Sequence, residues 1–264
     1  MLATTTMLAT EAAHTSGIHV ALSAETIATI AGIPITNTLL MSWAVVILLS
    51  VIAIVVGRKP SLIPSRMQIF LETVITGVHD FMRETLENDK VARTYLPLLA
   101  TIFLFIATAN LIEFTPGIGS IGFFREGGEF VPLLRSMNTD LNVTLTLAIL
   151  AVIVIEVAGV ATLGFFRYAG KFINFSSPLN FVVGLIELVS EISRLISFSF
   201  RLFGNIFAGE VLLAVVSYFV PYILPSGLMA FELFVGVVQG AVFSLLILFF
   251  IKLAITDAHA AEAH

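Results

Sequence analysis

The stretch SFSFRLFGNIFAGEVLL, Ser197 to Leu213, sets an arginine and a glutamate inside a run that is otherwise almost wholly apolar. It sits within a longer segment, Pro178 to Val220, that has no internal proline and stays mainly apolar. As one unbroken helix this segment would be about 64 Å long, roughly twice the hydrocarbon thickness of a bilayer. It therefore either breaks, near Gly204 or Gly209, or lies tilted at about 60° to the normal when fully immersed. Both outcomes hold Arg201 and Glu210 at membrane depth, where a charge is costly unless it faces protein or water.

Outward from that segment the chain keeps the same character. Of its 264 residues 58% are hydrophobic and 12% charged, well beyond soluble usage. Thr38–Gly57, Tyr95–Phe114 and Leu141–Phe166 are each long and apolar enough to span. Pro221, Pro225 and Gly227 predict a turn, after which Leu228–Ile255 forms a last run of about 42 Å that needs a tilt near 45°. The expectation is an all-α polytopic membrane protein. It has three fairly upright helices and a long tilted antiparallel hairpin (178–220 and 228–255), in a single membrane domain over 38–256. Residues 1–37 and 257–264 are read as tails. Pro64–Lys90 mixes apolar and charged residues in the manner of an amphipathic helix lying on the inner surface.

The basic residues set the expected orientation. Arg58, Lys59, Arg66, Arg83, Lys90 and Arg93 follow the first run, and Arg167 and Lys171 follow the third. The Phe114–Asp140 loop has only Arg125 and Arg135 among several acids, which predicts an outside N-terminus and an inside C-terminus. The first 37 residues carry no Lys or Arg, so no cleavable leader is expected.

Several function classes drop out. A net charge of −5 without a concentrated basic surface argues against nucleic acid. The chain has no cysteine, HExxH is absent, and His14, His19, His79, His259 and His264 all lie outside the spans, so a buried metal enzyme has few ligands to draw on. No metal or cofactor is expected. A secondary transporter or channel with Arg201 binding an anionic substrate is the main alternative, but it calls for broken helices and repeated halves, and no repeat is evident.

The informative charges are those in apolar runs: Glu156, Glu187, Glu191, Arg194, Arg201, Glu210 and Glu232. At 100° per residue Glu191, Arg194, Arg201 and Asn205 fall within about 40° of Glu187, making one polar stripe. Glu191 and Arg194 can pair at i and i+3, whereas Arg201 has no acid at i±3 or i±4 and must look to another helix or subunit. Glu210 is about 180° around the helix from Arg201 and about 13 Å along it. Folding the hairpin near Ile223 brings Glu232 to the depth of Glu210, and Gln239 near Asn205. Two carboxylates facing one cavity suit a proton relay. Glu156 is either a relay group or a packing glutamate bonded to a neighbouring helix. Glu113 and Asp140, at span ends, read as interfacial anchors or loop acids, and Ser193, Ser199 and Asn205 as packing residues, with Asn205 able to brace Arg201 one turn away.

These residues carry a resemblance. RLFGNIFAGE (Arg201–Glu210), preceded by ISRLISFSF and followed by the Gln239-bearing last helix, closely resembles subunit a of the rotary F-type ATP synthase. NLIEFTPG (Asn110–Gly117) and TDLNVTLTLA (Thr139–Ala148) are similar to that family's segments in the same order. The resemblance covers roughly Thr38 to Thr256. It implies a stator subunit beside a rotating ring of c subunits, with two offset half-channels carrying protons to and from the ring carboxylates. Arg201 would be the gate; Glu210, Glu232, Asn205 and Gln239 would line the outer half-channel. Glu187 would serve the inner one, with Glu156, Glu191 and Ser193 as further candidates. The implied partners are the c-ring, the peripheral-stalk b subunits, the lipid bilayer and protons, with Na⁺ as the other candidate ion because the ion-binding carboxylate is on another chain. The implied setting is an energy-coupling membrane of the bacterial plasma (inner) membrane type, with no catalysis by this subunit on its own.

Overall fold

The computed structural model describes residues 24–30, 32–57, 66–113, 121–124, 130–172, 177–220 and 223–260. Most of the N-terminal tail, Arg58, Lys59, Arg125, Phe114–Gly117, Pro221 and the last four residues lie outside them. Two short antiparallel hairpins, β1 (Thr26–Ile30) with β2 (Ile33–Thr36) and β3 (Gly122–Phe124) with β4 (Phe130–Pro132), accompany helices α1 (Asn37–Gly57), α2 (Arg66–Leu86), α3 (Asp89–Glu113), α4 (Leu141–Leu163), α5 (Phe165–Phe172), α6 (Pro178–Phe219) and α7 (Ile223–Ala260). Five of these, α1, α3, α4, α6 and α7, are long and apolar enough to cross a membrane. The chain is thus an all-α polytopic membrane protein in class, with the hairpins as minor additions.

Local chemistry explains where the helices start and stop. Ser177 caps α6 by accepting from the Leu179 N–H, and Pro178 takes the first helical position, where its missing N–H costs nothing. From there α6 runs unbroken for 42 residues through Gly204 and Gly209, so of the two alternatives the continuous helix is the one adopted. The following helix begins at Ile223 rather than Leu228. Pro225 and Gly227 belong to its first turns and not to the loop, because a first-turn proline forfeits no intrahelical bond. Likewise α3 starts at Asp89, six residues before the apolar run, since the Asn88 side chain accepts from the Lys90 and Val91 N–H groups. The third span ends at Leu163, where Gly164 takes φ +80° and the chain restarts as α5.

The core lies where α3, α4, α6 and α7 meet. Ile106, Ile155, Phe198, Leu202, Phe243, Ile247 and Ile251 are all fully buried there, and the Phe198 and Phe243 rings pack edge-on at 5.0 Å. Against it α2 contributes Met82 and Leu86 while leaving Val74, Val78 and Phe81 exposed, as an amphipathic surface helix should. The apolar flank of α6, including Ile186, Val189, Ile196 and Phe200, is also exposed. At the N-terminal end of α1, Asn37 exchanges bonds with Glu25, and Thr38 donates to the Asp140 carboxylate that caps α4.

Candidate functional site

Polar residues from four parts of the chain converge near the α6–α7 turn. The close fit of α6 on α7 depends on Gly209: a side chain there would occupy the space of the Glu232 carboxylate. Glu232, only 6% exposed, thus reaches α6 beside Glu210, as the hairpin depth predicts. One turn deeper, the Asn205 amide donates to the Gln239 side-chain oxygen at 3.2 Å, again the expected pairing.

The rest of the cluster comes from elements that spacing on the hairpin could not reveal. Arg135, in the segment leading to α4, sits 3.6 Å from Glu210 with its side chain 9% exposed. Ser136 donates to Glu113 at 2.6 Å, and Glu113 is near enough to Glu210, Glu232 and Arg135 to feel their charges. Glu113 is therefore part of the carboxylate cluster and not the isolated interfacial anchor that its position at a span end suggests. Asn138 donates to Asn110 at 2.6 Å, and Asn110 in turn donates to the Gly236 carbonyl at 2.9 Å, tying α3 and the 133–140 segment to α7. Atoms of Glu210, Gln239 and Asn138 are buried without a hydrogen-bond partner among the described residues. Such atoms are costly in dry packing and belong in a polar passage.

Deeper along α6 the polar stripe divides. Glu187 pairs with Lys171 of α5 at 2.6 Å, a partner invisible to helical spacing. Glu191 and Arg194 make the expected i, i+3 pair at 2.5 Å, and the Arg194 guanidinium stacks over Phe250 at 4.1 Å. Glu156 of α4 is close enough to Glu191 and to Tyr168 on α5 to act on both electrostatically. Burial first, and then Glu156, hold the Tyr168 phenol above its ordinary range, so its hydroxyl stays protonated. A groove of about 250 Å³ runs along this face, lined by Ser190, Ser193, Ser197, Arg194 and Arg201 with Phe250 opposite.

Arg201 differs from the other charges of α6. It is exposed and makes no hydrogen bond or ion pair with any described residue. Every other charge on α6 has a partner: Glu187 with Lys171, Glu191 with Arg194, Glu210 with Arg135. Among the described residues no cluster of His, Cys, Asp and Glu is arranged to hold a metal ion.

A helical membrane protein with a cluster of carboxylates and amides at one end, and a serine-lined groove holding an arginine that is unpartnered among the described residues, has the parts to handle ions. Residues 39–252 match the family model described as ATP synthase A chain. The chain is 34% identical to the sodium ion specific ATP synthase subunit a of Propionigenium modestum, over 88% of this chain and 78% of the relative. It is 30% identical to ATP synthase subunit a of Trichlorobacter lovleyi, over 84% of this chain and 89% of that one, and 31% identical to the Moorella thermoacetica protein, over 83% and 90%. This chain belongs to the ATP synthase A chain family, and so is the ion-channel part of the stator in an ATP synthase complex.

Proposed function

We propose that Arg201 is the gate between two half-channels and faces the carboxylates of a rotating c-ring. The observation that carries this reading is the arginine's isolation: it is the one charge on α6 without a partner among the described residues, and it opens outward beside the exposed apolar flank of Ile196 and Phe200. A guanidinium never deprotonates in a protein, so it attracts an ionised ring carboxylate and blocks direct passage of protons between the half-channels. One charge moved through 100 mV supplies about 2.3 kcal/mol, and that becomes rotation only when ions cannot bypass the ring.

Glu210, Glu232, Asn205 and Gln239, joined by Glu113, form the outer half-channel in this reading. The groove along Ser190, Ser193 and Ser197 forms the inner one, and Glu187, paired with Lys171 and three residues before Ser190, serves it. The basic residues near the α2–α3 and α4–α5 ends support a C-terminus on the inner side of a bacterial plasma membrane. The membrane domain spans 38–256, and the remaining exposed helix surface serves lipid and the peripheral-stalk b subunits. Protons are the expected ion; the Propionigenium modestum relative is named for sodium, so pumping with and without Na⁺ distinguishes the two.

The test is Arg201→Ala in the assembled complex. ATP-driven pumping and ATP synthesis should both be lost while the complex still assembles; coupling at normal rates would sink the gate.

A further inference from the structure

We infer that the buried hydroxyl pair of Thr144 on α4 and Ser199 on α6 is a positioning contact that sets the rotation of α6, and with it the direction in which Arg201 faces. What that rotation is for rests on the gate reading given above; the anchoring of α6 itself does not.

The two side chains meet at 3.3 Å, with Thr144 wholly buried and Ser199 1% exposed. Thr144 gives its own proton to the Leu141 carbonyl at 3.2 Å, so its oxygen accepts from the Ser199 hydroxyl. Ser193, also on α6, turns its hydroxyl back to the Val189 carbonyl of its own helix. Ser199 instead reaches across to another helix. Arg201 is two residues further on, about 160° around the helix and about 3 Å along it. The bond therefore grips the back of α6 at the depth of the arginine, with Phe198, Ser199 and Leu202 buried and Phe200 and Arg201 exposed.

The far end of this grip is itself held. The Thr144 N–H donates to the Asp140 carbonyl at 3.2 Å in the first turn of α4, and the Asp140 side chain caps that helix through the Asn142 N–H while accepting from the Thr38 hydroxyl of α1. Apolar packing on this side resists turning less firmly. The buried stripe of α4 continues through Ala148, Ala151, Ile155 and Ala158, and alanine lets helices approach closely but supplies few projections to lock a rotation. Phe198 packs edge-on against Phe243 and Phe250 and holds α6 to α7; the hydroxyl bond adds a directional tie to α4. A turn of about 20° would carry an oxygen lying about 4 Å from the helix axis through about 1.4 Å, enough to break the bond.

The test uses the whole ATP synthase in vesicles. Thr144→Val keeps the side-chain volume and loses the hydroxyl. The complex should assemble, passive proton leak should rise about threefold and protons pumped per ATP should fall, whereas Thr144→Ser, which keeps the hydroxyl, should restore both. Ser199→Ala should give the same leak, and adding it to Thr144→Val should raise the leak no further, since both changes remove one bond. Because this chain has no cysteine, Ser197→Cys in the groove reports the rotation directly. Its labelling by a water-soluble thiol reagent should change about threefold with Thr144→Val and return with Thr144→Ser. Unchanged labelling in Thr144→Val overturns the anchor, and changed labelling with an unchanged leak overturns its part in aiming Arg201. If Thr144→Val does not assemble, Ser199→Ala carries the same measurements. Arg201→Ala in the same vesicles separates the two readings, because full coupling there alongside the labelling change removes the gate and leaves the anchor in place.

Discussion

The Arg135 guanidinium lies 3.6 Å from the Glu210 carboxylate, joining the segment before α4 to the far face of α6 from Arg201. The arginine is nearly buried while Glu210 is 32% exposed, so water screens the acid's side of the pair. Removing one partner of a fully buried pair costs about 3–5 kcal/mol, and the screening brings the expectation for Arg135→Gln down to about 1–2 kcal/mol. That loss should appear as a lower dissociation temperature of the purified complex. Glu210→Gln combined with Arg135→Gln should lose less ATP synthesis than the product of the single losses; strictly multiplicative losses would mean that the two side chains act independently.

How much of this was written in the sequence differs by element. The hairpin was legible because its signals are local: hydrophobic run length gives α6 and α7, and the turn position sets which residues share a depth, so Glu232 beside Gly209 and Gln239 beside Asn205 follow from arithmetic. The pairings of Glu187 with Lys171 and Glu210 with Arg135 were not, because each joins segments whose approach depends on tertiary packing. Glu113 and Glu156 were ambiguous for the same reason: a carboxylate at the end or middle of a span is structural or functional according to its neighbours. The only local signal for the wider cluster was polar density, with Asn110, Glu113, Arg135, Ser136 and Asn138 flanking one loop. The β1–β2 hairpin was not legible because its strands are only five and four residues long and pair only with each other.

Gly209→Ala separates stability from function. The methyl would meet the carboxylate of Glu232, the mobile end of a flexible side chain, and not a fixed backbone. Alanine also gains up to about 1 kcal/mol in helix propensity over glycine, so the protein should assemble with stability within about 1 kcal/mol of the original. Displacing Glu232 should still slow ATP synthesis several-fold, measured in vesicles under a fixed driving force. Normal synthesis would remove Glu232 from the ion path.

On the α2 side, Lys252 Nζ lies 2.9 Å from the Glu87 carboxylate. The Lys252 hydrogen bond, and then its charge, hold Glu87 below its ordinary value of 4.5. A carboxyl depressed in the folded state binds fewer protons than in the unfolded chain. Its contribution is therefore present above pH 4.5 and is lost as the pH falls through the lower folded value. The site is open to solvent, so the effect is small. A melting-temperature gap between the natural protein and Lys252→Gln should exist at neutral pH, shrink in high salt and close in acid. A gap that widens in acid would contradict the pairing.

The Asn205–Gln239 bond links the carboxylate cluster to the gate. Asn205 is one turn beyond Arg201, while Gln239 shares a face of α7 with Glu232 and is 6% exposed. The Gln239 oxygen accepts from Asn205 at 3.2 Å, and its buried Nε2 has no partner among the described residues, which leaves that amide available to an ion-path water. Replacing Gln239 with leucine keeps the bulk but strands the Asn205 amide, at a cost of about 1–3 kcal/mol. It also places an apolar side chain between Glu232 and Arg201. ATP synthesis and ATP-driven pumping should both fall about tenfold, while passive proton leak stays low because Arg201 is untouched. Asn205→Leu added to Gln239→Leu should recover part of the lost stability, since no amide is then stranded, but none of the lost transport. Transport recovering along with stability would show that the pair only packs the hairpin, and would move the ion path off this face of α7.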